Sequence, residues 1–407
     1  MTDNHISNHS LETIIASAAV AEDGAYTSVA PPLFLSANFG WKDPSEKPPY
    51  DYSRSGNPTR THLEVALAKL EGAAKGVVTA TGMAAIDLVL CLVESGGRVI
   101  APHDCYGGTH RLLTARDRLG HIKVEFVDQR DVDALSKVLQ TPASLVLIET
   151  PSNPLLRITD IAHVSKLAKQ AGAIVVADNT FLSPVLQRPL ELGCDVVLHS
   201  TTKFINGHSD VVGGVVLAKE QKIGDELAWW ANCTGVTGSP FDAYQTLRGL
   251  RTLFPRIERQ QETAGYIIDQ LIQDDRIEAI HYPGLASHSG HETAAAQQNG
   301  FGSMFSVEFR EQVDVLEFLR NLNVFTIAES LGGFESLVCT PATMTHASMT
   351  KEARDIAGIS DCLVRFSIGL EHERDLKSDI ERALDAACSK NLTTIRKPEF
   401  RVASACV

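Results

Sequence analysis

The sequence predicts an α/β protein in which a large domain, built on a mostly parallel sheet, precedes a smaller α+β domain. Two observations predict the large domain: short runs that are apolar at every position recur between residues 61 and 255, and helical patterns separate several of them. Strands that are apolar throughout are typical of sheets buried on both faces, and intervening helices favour parallel pairing through right-handed crossovers. After Pro255 strand-like segments and helices follow a different pattern, which indicates the smaller domain.

The chain is predicted to divide into three parts. Residues 1–60 show little periodicity and contain Pro31-Pro32 among several prolines, which predicts an extended arm. The remaining length is too great for one typical core. We therefore assign the large domain to residues 61–255 and the smaller domain to residues 256–407.

The helices and strands can be placed along the chain from their periodicity. In the large domain, strands are expected at 76–80, 99–101, 124–127, 145–148, 174–177, 196–198 and 215–217, and helices at 61–74, from Gly82 onward and at 161–171. In the smaller domain, helices are expected at 256–273, 313–322 and 373–388, and strands at 303–309 and 363–368.

Composition and charge exclude several classes of protein. The net charge of −13 argues against a nucleic-acid partner, because such partners are met with basic patches. The eight cysteines show no CxxC pair and no metal-ligand spacing, so we expect reduced thiols, no metal site and a cytoplasmic location. The N-terminus lacks the pattern of a signal peptide, and no stretch reaches 18 apolar residues, so no membrane partner is expected.

Polar side chains follow two of the predicted strands, at the point where each strand ends. The run 174–177 leads into Asp178, and the run 196–198 leads into Ser200-Thr201-Thr202-Lys203. Such side chains project into the crevice where α/β sheets bind ligands. A carboxylate, hydroxyls and a lysine together suit pyridoxal phosphate, which needs a Schiff base, a partner for its pyridinium nitrogen and phosphate ligands. The alternatives are a solvated loop lysine and a helix N-cap role for Asp178.

Three further residues carry candidate chemistry. Gly82 follows an apolar segment at a helix start, where backbone N–H groups can receive a phosphate, although such a glycine is more often only a turn. Arg365 lies among apolar residues in LVRFSIG and must find an anion, either an internal carboxylate or a ligand. Tyr106, in HDCYGG, can either cap the core or stack on a ligand ring.

The segment 173–214, with Asn206-Gly207-His208-Ser209 after the lysine, resembles the cofactor-lysine region of the cysteine and methionine metabolism family of pyridoxal-phosphate enzymes. The resemblance covers nearly the whole chain. It implies the fold of pyridoxal-phosphate transferases of fold type I, the aspartate-aminotransferase-like fold. It also implies pyridoxal 5'-phosphate as the cofactor, held as a Schiff base on Lys203.

The same resemblance implies a role for each candidate side chain. The residues implied in catalysis are Lys203 as the base, Asp178 as the partner of the pyridinium nitrogen, and Tyr106 as the ring stacked on the pyridine. The residues implied in cofactor binding are Gly82 and Met83 through their amides, Ser200 and Thr202 through their hydroxyls, Thr180 beside the ring and Asn153 near the phenolic oxygen. The residues implied in substrate binding are Arg365 and Ser330 at the α-carboxylate, Glu329, Asn153, and Arg111 at the far end of the substrate.

The family's N-terminal arm reaches into a neighbouring subunit, so the resemblance implies that Tyr52 and Arg54 bind the cofactor phosphate of that subunit. The chain is therefore expected to form a homo-oligomer, a tetramer arranged as a dimer of dimers, and to act on small amino-acid substrates.

Three segments, APHDCYGGTHRLL (101–113), ELAWWANCTGVTG (226–238) and ATMTHASM (342–349), resemble members of the family that act at the γ-carbon. They imply that cysteine displaces the succinyl group of O-succinyl-L-homoserine, giving L-cystathionine and succinate in the transsulfuration route of methionine biosynthesis. Ser55, which stands where those members carry a second arginine, leaves three alternatives open: an acetyl donor, cleavage of cystathionine at the γ-carbon, and sulfhydrylation of an O-acylhomoserine. A non-catalytic relative is disfavoured because Lys203, Asp178, Tyr106 and Arg365 are all present.

Overall fold

The computed structural model describes residues 9–345 and 351–389, and the larger of its two sheets has seven strands. These are β1 (Lys75–Thr79), β2 (Gly97–Pro102), β3 (Ile122–Val127), β4 (Leu145–Glu149), β5 (Ile174–Asp178), β6 (Val196–His199) and β7 (Gly214–Ala218). They lie in the order β1-β7-β6-β5-β4-β2-β3, and only β7 runs antiparallel to its neighbours. The mostly parallel sheet is confirmed, and each strand predicted for this part of the chain overlaps one of the seven.

Helices cover both faces of this sheet. The helices up to residue 250 are α1 (Leu11–Ala16), α2 (Pro58–Glu71), α3 (Gly82–Leu90), α4 (Gly107–Arg118), α5 (Val132–Val138), α6 (Ile161–Gln170), α7 (Ser183–Leu186), α8 (Gln221–Thr234) and α9 (Pro240–Leu250). Val196 packs in the cluster that contains α3 and α8, whereas Val197, the next residue, packs in the cluster that contains α5 and α6. Successive side chains of a strand point to opposite faces, so both faces of β6 are apolar because both are buried.

The first helix of the large domain begins three residues before its predicted start. Asn57 caps α2 by accepting the N–H groups of Thr59 and Arg60, and Pro58 occupies the first turn. Gly72 ends the helix in the left-handed conformation, at φ 73°. The prediction of 61–74 followed the apolar periodicity and missed this cap, which the Asn-Pro pair signals in the sequence.

The smaller sheet lies in the C-terminal part of the chain. Its strands are β8 (Ile277–His281), β9 (Met304–Phe309), β10 (Thr326–Ile327), β11 (Leu337–Cys339) and β12 (Leu363–Ser367), in the order β10-β11-β12-β9-β8. The accompanying helices are α10 (Leu253–Leu271), α11 (His291–Gln297), α12 (Val315–Asn321), α13 (Lys351–Ala357) and α14 (Glu373–Ser389). Phe305 and Phe366 stack at the centre of this core with ring centroids 5.0 Å apart. The mixture of helices and strands in this part of the chain agrees with the predicted α+β class. Helix α10, however, begins at Leu253, before the domain boundary that we propose after residue 255.

The N-terminal arm contains one helix that the sequence pattern did not predict. Ile15 of α1 is buried in the cluster that also contains α2, and Arg251 donates a hydrogen bond to the carbonyl of Ala18 at 2.6 Å. Between α1 and α2 the described residues form turns, bends and one isolated bridge, between Asn38 and Tyr52. Helix α1 therefore packs against its own chain, and the residues between α1 and α2 have little regular structure.

No helix in the described part of the chain combines the length and the apolar character that crossing a membrane requires.

The last four residues of the segment ATMTHASM, 346–349, and Cys406 lie outside the described residues.

A buried arginine holds the loop that follows Lys203. Arg256, on α10, donates hydrogen bonds to the carbonyls of Phe204 at 2.8 Å, Ile205 at 3.4 Å and Gly249 at 2.9 Å. Burial lowers the pKa of Arg256 to about 10. Gly249 lets α9 approach this loop, because a Cβ atom on Gly249 would lie 2.0 Å from the carbonyl oxygen of Asn206.

We predict that Gly249→Ala destabilises the protein by about 2 kcal/mol or more, because the added methyl group displaces either α9 or the loop after Lys203. Gly265→Ala is the matched control, since a Cβ on this α10 glycine meets nothing within 4 Å. Alanine there should stabilise the helix by up to about 1 kcal/mol. Urea unfolding of both variants measures the difference, and equal stability of the two would contradict the close packing at Gly249.

Candidate active site

A cavity of about 380 Å³ opens at the carboxyl ends of β4, β5 and β6. Twelve of the residues predicted for the site line it: Gly82, Met83, Tyr106, Asn153, Asp178, Thr180, Ser200, Thr202, Lys203, Glu329, Ser330 and Arg365. Glu149, Phe181, Val212, Leu331 and Thr345 line it as well and were not predicted. The structure thus brings together side chains from the large sheet and from the smaller domain.

One end of the cavity suits a phosphate group. Thr81 caps α3 by accepting the N–H of Ala84, and the N–H groups of Gly82 and Met83 begin the helix, where they have no acceptor within it. A Cβ on Gly82 would lie 2.8 Å from the Cβ of Ser200, so glycine is what lets the helix start approach the end of β6. Backbone N–H groups at a helix start, beside a serine hydroxyl, are a donor set that fits a phosphate.

Thr202 also lines the cavity, but its hydroxyl already makes hydrogen bonds within the protein. Its Oγ1 accepts the N–H of Gly213 at 3.0 Å and donates to the carbonyl of the same residue at 3.2 Å. The bond joins the Lys203 loop to the segment that leads into β7. Phosphate binding by Thr202 remains a prediction.

Asp178, the last residue of β5, brings a carboxylate to the cavity. It accepts hydrogen bonds from the N–H of Thr180 at 3.0 Å and from its hydroxyl at 2.5 Å. The Thr180 hydroxyl in turn accepts the N–H of Ser200 at 2.9 Å, which ties the end of β5 to the end of β6. Burial raises the pKa of Asp178 above its ordinary value, although the two hydrogen bonds from Thr180 act in the opposite direction.

Lys203 faces the cavity from the turn after β6. Its Nζ donates a hydrogen bond to the Oγ of Ser330 at 2.7 Å. Burial, together with the positive charge of Arg365, lowers the pKa of the amine to about 8, although Glu329 acts in the opposite direction. A substantial fraction of the amine is therefore neutral near pH 8, and only the neutral form is a nucleophile.

Arg365, on β12, is 3% exposed and carries its charge into the same cavity. It donates to the Oδ1 of Asn153 at 2.9 Å and to the carbonyl of Ser330 at 2.8 Å, while its Nε has no hydrogen-bond partner. Among the described residues no carboxylate forms an ion pair with it, so the alternative of an internal acidic partner is excluded there. A buried guanidinium with polar contacts but no counter-ion is suited to binding a carboxylate that enters the cavity.

Ser330 accepts a hydrogen bond from each of the two cations, Lys203 and Arg365. It adopts φ 103°, which is rare for a residue with a side chain and costs free energy. In this conformation its hydroxyl accepts from Lys203 and its carbonyl accepts from Arg365. Ser330 and Arg365, which the sequence predicts to lie at the same end of the substrate, are therefore in direct contact.

Three predicted site residues lie elsewhere. Tyr52 and Arg54 line a separate depression with Thr237 and Gly238, where Arg54 donates to the carbonyl of Asn232 at 2.5 Å and to its Oδ1 at 3.0 Å. Arg111 is exposed on α4 and does not line the cavity. The roles assigned to these three residues stay predictions, and those of Tyr52 and Arg54 require a second subunit.

Among the lining residues that were not predicted, Glu149 is an acidic one. It is the last residue of β4, it is 7% exposed, and its Oε2 accepts the N–H of Tyr106 at 2.8 Å. The segment LVLIE ends a buried strand in a carboxylate, as VVAD does at Asp178, and this signal was available in the sequence.

Among the described residues there is no group of three or more histidine, cysteine or acidic side chains placed to hold a metal ion.

Comparison with known families gives one match over most of the chain. The family described as Cys/Met metabolism PLP-dependent enzyme matches residues 12–385. This range includes the whole of the cavity lining.

Individual relatives and solved structures are similar along nearly their full length. Cystathionine gamma-synthase of Escherichia coli (strain K12) is 50% identical over 377 residues, 92% of this chain and 98% of the relative. Cystathionine gamma-lyase of Bacillus subtilis (strain 168) is 41% identical over 375 residues, 92% and 99% of the two chains. The crystal structure of cystathionine gamma synthase from Xanthomonas oryzae pv. oryzae in complex with aminoacrylate and cysteine has a TM-score of 0.91 and 52% identity, and covers 93% of this chain and 98% of that chain.

We predict that the rate at which the apoprotein attaches pyridoxal phosphate rises with pH and reaches half its maximum near pH 8, where Lys203 loses its proton. Below that pH the rate should fall about tenfold per pH unit, because the protonated amine does not attack the aldehyde. Stopped-flow absorbance measures the rate, and Lys203→Ala, which has no amine there, is the control. A midpoint near 10.5, the ordinary value for lysine, would contradict the influence of burial and Arg365 on this amine.

Proposed function

The chain belongs to the Cys/Met metabolism PLP-dependent enzyme family, and we propose that it is a cystathionine γ-synthase, which converts O-succinyl-L-homoserine and L-cysteine to L-cystathionine and succinate. The observation that carries the proposal is the pairing of a partly neutral Lys203 amine with a guanidinium, Arg365, that has no counter-ion, in one cavity. The two synthases compared above also share more of this sequence than the lyase does.

Three residues of the cavity act on the substrate, each in a different role. Pyridoxal phosphate, when bound, withdraws electrons from the carbons of an amino acid attached to it. Arg365 binds the α-carboxylate of that amino acid, and the hydroxyl of Ser330 orients the Lys203 amine toward it. Lys203 then accepts the proton of the α-carbon and moves it within the substrate, since an amine with a pKa near 8 both accepts and donates protons at neutral pH.

The other residues hold the cofactor. Asp178 presents its carboxylate to the pyridine nitrogen, and Gly82 and Met83 present N–H groups to the phosphate. Tyr106, which is 46% exposed as a residue, offers its ring as a stacking face. Loss of the γ-acyloxy group, followed by attack of the cysteine thiolate at the γ-carbon, completes the replacement.

The acyl donor is the part of the proposal with the most specific alternative. Ser55 does not face the cavity: its hydroxyl donates to Asp51 at 2.9 Å and to the carbonyl of Tyr52 at 2.7 Å, within one turn of the arm. An arginine there would add a cation beside Arg54, and its absence weakens the preference for the charged succinyl ester over an uncharged acetyl ester. The competing activities are the transfer of cysteine or sulfide onto O-acetylhomoserine and the cleavage of cystathionine.

We further propose that the active unit is a dimer within a tetramer, and that it works in the cytoplasm. The described arm exposes large apolar side chains, among them Tyr26 at 86% and Leu35 at 68%, which a second subunit would cover. Trp229, 58% exposed, lies on α8 near the Asn232 that Arg54 contacts. The seven described cysteines are all free, which is typical of a reducing compartment.

We predict that the protein makes cystathionine from O-succinylhomoserine and cysteine, with a kcat/KM higher than that for the acetyl ester. Ser55→Arg should raise this selectivity and Arg111→Ala should lower it, each by several-fold, because one partly exposed cation is worth roughly 1 kcal/mol. Product analysis with both esters, with and without cysteine, measures the ratio. A preference for the acetyl ester of about tenfold, or efficient cleavage of cystathionine to cysteine, would overturn the proposal.

A second prediction concerns the shared site. Arg54→Ala and Lys203→Ala subunits should each be inactive alone, yet a mixture should recover activity, because a hybrid dimer contains one site with both residues. Mass spectrometry of the mixture confirms that subunits have exchanged. Exchange without any return of activity would show that Arg54 does not serve the neighbouring site.

A further inference from the structure

Two carboxyl groups lie side by side at the edge of the large sheet. Glu149 and Asp178 are the last residues of β4 and β5, they are partners in the parallel register of these strands, and both line the cavity. Neighbouring strands are about 4.8 Å apart, and side chains in register point to the same face. When two carboxyl groups share a buried site, the charge of each makes ionisation of the other less favourable.

The hydrogen bonds around the pair differ between its two members. Asp178 accepts two, both from Thr180, and the electrostatic effect of His199, at the end of β6, also lowers its pKa. His199 is itself held by the buried Glu71, at 2.7 Å from its Nε2. These contacts favour the ionised form of Asp178.

Glu149 has the opposite surroundings. It accepts a single hydrogen bond, from the N–H of Tyr106, and Asp104 adds a second negative charge nearby. Burial and the charge of Asp178 raise the pKa of Glu149 well above its ordinary value. Burial raises the pKa of both groups, and the hydrogen bonds described above favour the charge on Asp178 and a proton on Glu149.

We propose that Glu149 is a positioning residue: it is held as a neutral carboxylic acid that fixes Tyr106 through the Tyr106 N–H and leaves Asp178 as the charged member of the pair. The Tyr106 side chain makes no capping hydrogen bond at the start of α4, and its backbone is held there by two bonds: its carbonyl accepts the N–H of His110 at 3.0 Å, and its N–H donates to Glu149 at 2.8 Å. A neutral Glu149 also spares the cavity a second negative charge, which would repel the phosphate and the carboxylate that have to enter. The inference rests on the proposed cofactor site.

The test compares Glu149→Gln with Glu149→Leu in the full-length apoprotein. Glutamine is neutral and keeps a carbonyl acceptor for the Tyr106 N–H, so the dissociation constant of pyridoxal phosphate should stay within about threefold of the wild-type value. Leucine is neutral but removes the acceptor, so the constant should rise about tenfold or more and the visible circular dichroism of the bound cofactor should weaken. Asp178→Asn is the matched control, because the same change of carboxyl to amide removes a charge there and should weaken binding.

An infrared measurement reads the proton directly. The wild-type protein at neutral pH should show the carbonyl stretch of a buried carboxylic acid, and Glu149→Gln should lose it. Absence of this band, or a loss of cofactor affinity in Glu149→Gln as large as in Asp178→Asn, would show that Glu149 is ionised. Wild-type affinity and dichroism in Glu149→Leu would show that it does not position Tyr106.

The outcomes separate this inference from the proposed function. If the wild-type protein fails to bind pyridoxal phosphate at Lys203, the cofactor site is wrong, and the infrared band alone decides the charge of Glu149. If the wild type binds the cofactor and the Glu149 variants depart from these results, only the role of Glu149 is wrong. Should the leucine variant fail to fold, Glu149→Ala, which also removes the acceptor, takes its place in the test of Tyr106, and the glutamine variant and the infrared band still decide the charge.

Discussion

The burial of two cations in one cavity is the constraint on which the site depends. Lys203 and Arg365 share Ser330 as a partner, and no carboxylate among the described residues pairs with the arginine. Loss of water and the repulsion between the charges make the protonated lysine less stable, which lowers its pKa to about 8. The same arrangement leaves the guanidinium ready for an anion from outside. One electrostatic arrangement thus provides both a nucleophilic amine and a carboxylate site.

The two domains hold this arrangement together. The large sheet provides Asp178, Glu149 and the Lys203 loop, whose carbonyls are held by Arg256 on α10. The smaller domain provides Arg365, and Asn153 accepts its hydrogen bond from the large-domain side. Because Arg365 lies on the smaller sheet and Lys203 follows a strand of the large sheet, a change in how the two sheets pack would alter the pKa of the amine.

Much of the fold and of the site was predictable from the sequence, because fully buried strands have a distinctive pattern and because their polar ends meet at one edge. Asp178 and Lys203 were found in this way. The start of α2 was misplaced because its cap, Asn57, precedes the apolar periodicity, and α1 was missed because it is a single short helix. Glu149 was overlooked although its strand ends as the Asp178 strand does. The missing counter-ion of Arg365 was not predictable, since it depends on which residues distant in the sequence surround the guanidinium. The roles of Tyr52, Arg54 and Arg111 depend on a second subunit or a bound substrate, and they remain predictions.

Reductive trapping tests the central claim most directly, because it reports which amine the cavity presents to the cofactor. The apoprotein is incubated with pyridoxal phosphate near pH 8, reduced with borohydride, digested and mapped by mass spectrometry. Our account predicts one phosphopyridoxyl group per chain, on the peptide that contains Lys203. A label spread over surface lysines, or placed on another single lysine, would contradict the claim that the buried amine beside Arg365 is the one that reacts.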